Sequence, residues 1–253
     1  MKKYELTEET KTLADGTVLH RIRALLDIPR HGVKAGELGG FVEGENNLSQ
    51  DGDAWVYGDA KVSGDACVSD NAEISGNAEI SGNAKVSGDA CVSDNAWVSN
   101  NACVSGNAWV SGDACVSNNA CVSDNAWVYG NACVSDNAWV SNNACVSGNA
   151  KVSGNAKVSG DACVSDNAWV YGNAKVSGNA DYMVIKNIWS SGRWFTYTRS
   201  NKKWVVGCFY GTGEELVAKA YKDSKLSGKC YEAIVHAVET IEAAKAEAKG
   251  EAK

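Results

Sequence analysis

From Asp53 to Ala180 the chain repeats one six-residue pattern of small, variable and aliphatic positions without an insertion. Alanine fills every sixth place from Ala54 to Ala180. Two residues after each alanine, as far as Val176, comes Val, replaced by Ile at Ile74 and Ile80. The position between them varies. Next come Ser, or Tyr at Tyr57, Tyr129 and Tyr171, then Gly, Asp or Asn, then Asn or Asp. Alternate side chains of a strand share a face, so Ala and Val point one way and the variable residue the other. Gly, Asn and Asp tolerate left-handed backbone and Ser or Asn can bond the local chain, so the trailing trio predicts a corner. One hexapeptide cannot bury its own Ala and Val. The units must coil and stack, each strand pairing in parallel with the one a full turn on.

This run resembles the hexapeptide-repeat left-handed β-helix proteins, the superfamily of the LpxA-type acyltransferases. The resemblance implies three hexapeptides per triangular coil, with the aliphatic and small residues inside. It also supplies the handedness, because ordinary parallel crossovers are right-handed. The 22 units from Ala54 to Ala180 then make about seven coils, roughly 4.8 Å apart and about 34 Å long. A second resemblance is carried by Lys34-Ala35-Gly36-Glu37-Leu38-Gly39-Gly40-Phe41-Val42, Asn46-Asn47-Leu48-Ser49-Gln50, Trp189-Ser190-Ser191-Gly192-Arg193 and Gly207-Cys208-Phe209-Tyr210-Gly211-Thr212-Gly213. These segments are similar to uncharacterised phage and prophage β-helix proteins.

The ends depart from the hexad. Tyr4 to Thr12 and Thr17 to Leu25 flank Ala14-Asp15-Gly16 as a hairpin, so residues 1–51 are expected to cap the open strand edges and core of residues 52–181. Residues 182–253 predict three strands, Tyr182 to Trp189, Arg193 to Arg199 and Lys203 to Tyr210, with turns at Ser190-Ser191-Gly192 and Ser200-Asn201-Lys202. Helices then follow from Gly213 to Ser224 and from Gly228 to about Ala248, the first capped by Thr212. The expected fold is therefore mainly β: a single-stranded left-handed parallel β-helix with an N-terminal β cap and a C-terminal α+β domain.

Composition sharpens this picture. One proline, 26 glycines, ten cysteines and nine tryptophans among 253 residues reflect the repeat, and a net charge of −7 argues against a basic nucleic-acid coat. No run of 18 apolar residues occurs and the first residues lack an apolar signal core, so a soluble, unprocessed cytoplasmic chain, off the membrane, is expected. Residues 1–50 carry 7 basic and 8 acidic groups, 51–181 carry 5 and 15, and 182–253 carry 12 and 8.

Fourteen of the 22 outward positions are Cys or Trp. An indole does not fit the narrow core, so a contiguous apolar wall is expected outside, more than a monomer usually leaves uncovered. At the coil repeat the resemblance implies, Trp55, Cys91, Trp109, Trp127, Cys145 and Cys163 share one face, the expected interface of a homo-oligomer, a dimer or trimer, or of a host protein. Catalytic, cofactor and metal sites are not expected. A diverged acyltransferase is the least favoured reading, because the resembling enzymes use a histidine base on a coil, whereas His20, His31 and His236 lie outside the coils, with His31 expected as a solvated loop residue. Tetrahedral thiolate sites need four converging groups, and neighbouring repeat cysteines, six residues apart at closest, sit on different faces. Same-face cysteines about 4.8 Å apart come within the Cα range for disulfides, but in the reducing cytoplasm they are expected as free thiols. Two weaker alternatives remain. The acidic corners Asp53, Asp59, Asp65, Asp89, Asp113 and Asp161 could mimic a phosphate rail, and Arg193, Trp194, Tyr197, Arg199, Lys203 and Trp204 could hold an anion or nucleotide.

Overall fold

The computed structural model describes residues 1–187 and 192–251. They fall into two compact units, Met1–Asp181 and the segment beginning at Tyr182.

The first unit is a parallel β-solenoid. Strands β1 (Tyr4–Thr12), β2 (Val18–Ala24) and β3 (Leu38–Val42) precede 21 two-residue strands, β4 to β24, which run from Trp55–Val56 to Lys175–Val176. Every third strand pairs in parallel, and the register joins residues 18 apart, as in Cys91↔Trp109 and Val92↔Val110. Three sheets result, one per face of the coil. The Ala and Val of every coil are buried. At the corners the fifth hexad residue has positive φ whether it is Gly106 (69°), Asp94 (61°) or Asn100 (60°), which is why only Gly, Asp and Asn occur there.

The first turn departs from the hexad. Phe41 pairs with Lys61 and Leu48 bridges to Val68, each 20 residues on rather than 18, so β3 and the Leu48 segment add an irregular eighth turn to the seven expected. Residues 36–50 are thus part of the stack rather than a plain loop.

The coil amides donate to the next coil, as Cys67 N does to Ala84 O (2.9 Å). Carbonyls at the first coil would therefore be open, and the cap meets one on each face. Lys3 Nζ donates to Ala54 O (2.9 Å), Phe41 N to Ala60 O (2.9 Å) and Asn47 Nδ2 to Ala66 O (2.8 Å). The last coil has the opposite need. Asn179 Oδ1 accepts from Cys163 N (2.7 Å), and the Asp181 carboxylate accepts from Ser177 N (2.7 Å) and Gly178 N (3.0 Å). The twenty-second hexad thus ends the stack, Asp181 lying in a 3-10 turn rather than a strand.

The second unit pairs β25 (Tyr182–Lys186), β26 (Trp194–Thr198), β27 (Lys203–Val206) and β28 (Phe209–Gly211) antiparallel in that order, followed by α1 (Gly213–Asp223) and α2 (Lys225–Glu251). The expected third strand divides at Gly207, whose φ of 57° turns the chain into a hairpin. The expected extension of β25 to Trp189 and its Ser190-Ser191 turn lie outside the described residues. Phe195, Tyr197, Trp204 and Val206 form a core with Leu216 and Ala220 of α1 and Tyr231, Val235 and Val238 of α2. Thr212 caps α1, accepting from Glu215 N (3.2 Å) while Glu215 reaches back to Thr212 N (2.7 Å). Among the described residues, no helix is long and apolar enough to cross a membrane.

Candidate functional site

The alternation of each two-residue strand turns the aliphatic residue in and the preceding residue out, and 18-residue stacking arranges the latter in columns. One face reads Trp55, Glu73, Cys91, Trp109, Trp127, Cys145, Cys163. The second reads Lys61, Glu79, Trp97, Cys115, Cys133, Lys151, Trp169. The third reads Cys67, Lys85, Cys103, Cys121, Trp139, Lys157, Lys175. The six residues expected on one face are on it, but Trp55 is not available there. It is 1% exposed, covered by the edge of the Tyr4 ring at 6.4 Å, so the cap removes it from the surface.

The other indoles remain outside. Trp109 and Trp127 are 42% and 49% exposed, their ring centroids 5.1 Å apart and tilted, with Tyr129 exposed on the same face. Trp97 and Trp139 are exposed on the second and third faces. Trp97, Trp109 and Trp169 lean diagonally across the ladder, each Nε1 donating to the serine 16 residues earlier: Ser81, Ser93 and Ser153, at 3.4, 3.4 and 3.2 Å. Lys157 and Lys151 add cation–π contacts with Trp139 and Trp169, at 5.4 Å each.

Thiols also stack in register, Cys103 on Cys121, Cys115 on Cys133 and Cys145 on Cys163, one pair per face. The hydrogen bond from the Cys121 thiol, aided by Ser105 and the Lys85 ammonium and opposed by burial, lowers the Cys103 thiol, while Cys121 is raised. Cys133 and Ser117 likewise lower Cys115, and Cys133 rises. Cys91, which has no thiol neighbour in its column, is pushed up to about 11, chiefly by burial and then by Glu73 and Asp94. Among the described residues no three of His, Cys, Asp and Glu converge as a metal site.

No protein-family model and no curated protein matches the chain. Its function is argued from its own surfaces.

The anion site expected on the second unit does not assemble. Strand alternation turns Tyr197 and Trp204 into the helix-facing core, with their rings 5.0 Å apart. Arg199 donates from Nε and Nη2 to Glu242 of α2 (2.9 and 2.8 Å). Lys186 lies 5.5 Å from the Trp194 ring, and Lys203 pairs with Thr198 across the ladder. Arg193 lines a cavity of about 370 Å³ shared with Cys208, Phe209, Lys219, Asp223 and Tyr231. The competing expectation from the sequence, an aromatic face packed on the helices, is the one these contacts match.

The histidines are likewise dispersed. His20 Nδ1 lies 3.3 Å from Thr7 O in the hairpin, and His236 lines a groove between α1 and α2. His31 corrects the expectation of a solvated residue. Its side chain is 8% exposed, with Nδ1 3.5 Å from Glu73 Oε2 and Nε2 3.2 Å from Asn71 O. Arg30 beside it pairs with Asp89 at 2.8 Å, so this loop latches the cap to the early coils.

Three of the six acidic corners are woven into amide ladders, and Asp59 pairs with Lys11 at 3.7 Å. Asn71, Asn95 and Asn143 donate to Asp89, Asp113 and Asp161, at 2.9, 2.9 and 3.0 Å. Lys3, Asn47 and Asp181, which close the ends, were not singled out in the sequence; a polar residue where the hexad breaks was the one signal available.

Proposed function

We propose that this chain is a non-enzymatic solenoid interaction protein that self-associates through the face bearing Cys91, Trp109, Trp127, Cys145 and Cys163. The observation that carries the reading is the Trp109–Trp127 pair, stacked at 5.1 Å yet nearly half exposed. Two ordered indoles beside Tyr129 make an apolar patch with little side-chain freedom left to lose on docking. Except for Glu73, the outward column of this face carries no charge, whereas each of the other two carries at least three charged residues. A flat parallel sheet matches a copy of itself, and roughly 800 Å² per partner makes a standard interface. Closed symmetry favours a dimer or trimer. The resemblance to prophage chains makes a host protein the alternative partner.

Nucleic-acid mimicry is less well supported. Residues 51–181 carry 15 acidic and 5 basic groups, a net −10. Spread over about 34 Å of stack, this is one net charge per roughly 3.4 Å, half the density of duplex DNA. Light scattering with size exclusion tests the favoured reading. An oligomer at micromolar concentration, moved to monomer by Trp109→Lys with Trp127→Lys, supports it. A monomeric wild type rejects self-association and leaves the face to another protein.

A further inference from the structure

We infer that each in-register cysteine pair, Cys103/Cys121, Cys115/Cys133 and Cys145/Cys163, is a two-coordinate site for a soft d10 monovalent cation such as Cu(I). The pairs are directly opposed in parallel ladders, with Cys103 N donating to Ala120 O and Cys115 N to Ala132 O, both at 2.9 Å. In-register parallel side chains leave the sheet in the same direction, so their Cβ atoms keep the strand spacing of about 4.7–4.9 Å. That is beyond the roughly 3.5–4.5 Å a disulfide requires. It leaves room for a bridging metal: with thiolate bonds about as long as the roughly 2.3 Å of zinc–sulfur, a collinear pair spans about 4.6 Å between the sulfurs. Thiolates select soft ions, and two ligands on a rigid sheet leave tetrahedral zinc two short.

The chemistry balances without a redox partner. Cu⁺ and two thiols give a bis-thiolate anion and two protons: two S–Cu bonds form, two S–H bonds break, and the protons pass to solvent. Each site then gains one negative charge. Lys85 is the ladder neighbour of Cys103, and Lys151 that of Cys133, so two of the three sites have a cation in place to offset it. The third pair is flanked by Trp127 and has no lysine in its column, so it should bind most weakly.

Anaerobic titration of the reduced full chain with Cu(I) against a competing chelator tests this. Three Cu(I) per chain are expected, the last several-fold weaker, with two sulfur ligands by X-ray absorption and quenching of the neighbouring Trp139, Trp97 and Trp127. Cys121→Lys or Cys133→Lys should each remove one ion. These substitutions suit the fold because Lys85 and Lys151 already occupy outward positions of the same columns. Cys67→Ser should leave three. Unchanged stoichiometry in the lysine variants, three-sulfur coordination, or equal occupancy by Zn(II) would overturn the proposal. Copper that binds only as the chain dimerises would assign the thiols to a contact between copies and also overturn it. Repeating the titration on the Trp109→Lys, Trp127→Lys chain separates this outcome from failure of the proposed self-association.

Discussion

At the residue scale, two kinds of position behave differently from what their chemistry alone implies. The corner residue is the first. Gly112 has a φ of 71° and Asn118 one of 61°, so side chains are accepted there when they are Asn or Asp. Gly58→Asn, whose Cβ would meet only Gly76 O at 3.8 Å, should change the urea midpoint little. Gly112→Val should cost about 2 kcal/mol or more, because a β-branched residue is strained at positive φ. The core positions are less forgiving still. Val110 is wholly buried, so Val110→Asp forces a charge into a dry interior and should cost several kcal/mol, whereas Lys157→Glu, on the exposed column, should change little.

Lys3 is the second kind. Burial, opposed by Asp53 and Asp51, lowers its ammonium from the usual 10.5 to about 8. Between pH 8 and 10.5 the unfolded chain therefore holds more protons at this site than the folded one, and the contribution of Lys3 to stability rises with pH across that window. Below pH 8 both states are protonated and the contribution is flat. The stability of wild type relative to Lys3→Met should thus increase from pH 8 to 10.5, read from urea midpoints at each pH; a constant difference would contradict the burial of this charge.

At the scale of the element, a two-residue strand has almost no stability of its own, and the stack must supply it. Amide ladders contribute along the corners, as Asn83 donates to Asn101, Asn101 to Asn119 and Asn119 to Asn137, all at 3.1 Å. Asn101→Ala removes two such bonds at an exposed site. A loss of about 1 kcal/mol in chemical denaturation is expected. The cap is the element on which the others depend. Tyr4 OH donates to Leu48 O (2.7 Å) and its ring covers Trp55, so Tyr4→Ala should expose that indole and red-shift its emission.

For the solenoid unit as a whole, contacts run only between adjacent coils, so stability should vary nearly linearly with coil number. Deleting residues 85–102 removes one coil in frame, joining Ala84 to Cys103. The chain should fold with the same circular dichroism per residue and a lower Tm, and the three thiol pairs remain in register. Deleting 79–84 instead should also fold but shift every later column by one face. The Trp109–Trp127 contact and their alignment with Cys91 survive that change, while the alignment of all three with Glu73 and Trp55 is lost.

How much of this was legible beforehand follows from the range of the interactions. The hexad determined the inward Ala and Val, the outward columns and the left-handed corners, because each is a property of a few consecutive residues, and the face membership of Trp109, Trp127 and Cys145 follows from the same repeat once three units close a coil. Thr212 and Glu215 were legible as a cap for the same local reason. What the tertiary structure alone decided lies where the repeat stops. Trp55 and Trp127 share the local sequence Ala-Trp-Val-Tyr-Gly, yet the first is buried and the second half exposed, because Tyr4, distant in sequence, covers only the first coil. Lys3, Phe41 and Asn47 become the partners of three open carbonyls only once the chain has returned to the end of its own stack. The side of the sheet on which Tyr197 and Trp204 are buried is set by the helices α1 and α2, which pack on it. Open hydrogen-bond groups at an edge must be satisfied by something, and no local pattern names the distant group that reaches them.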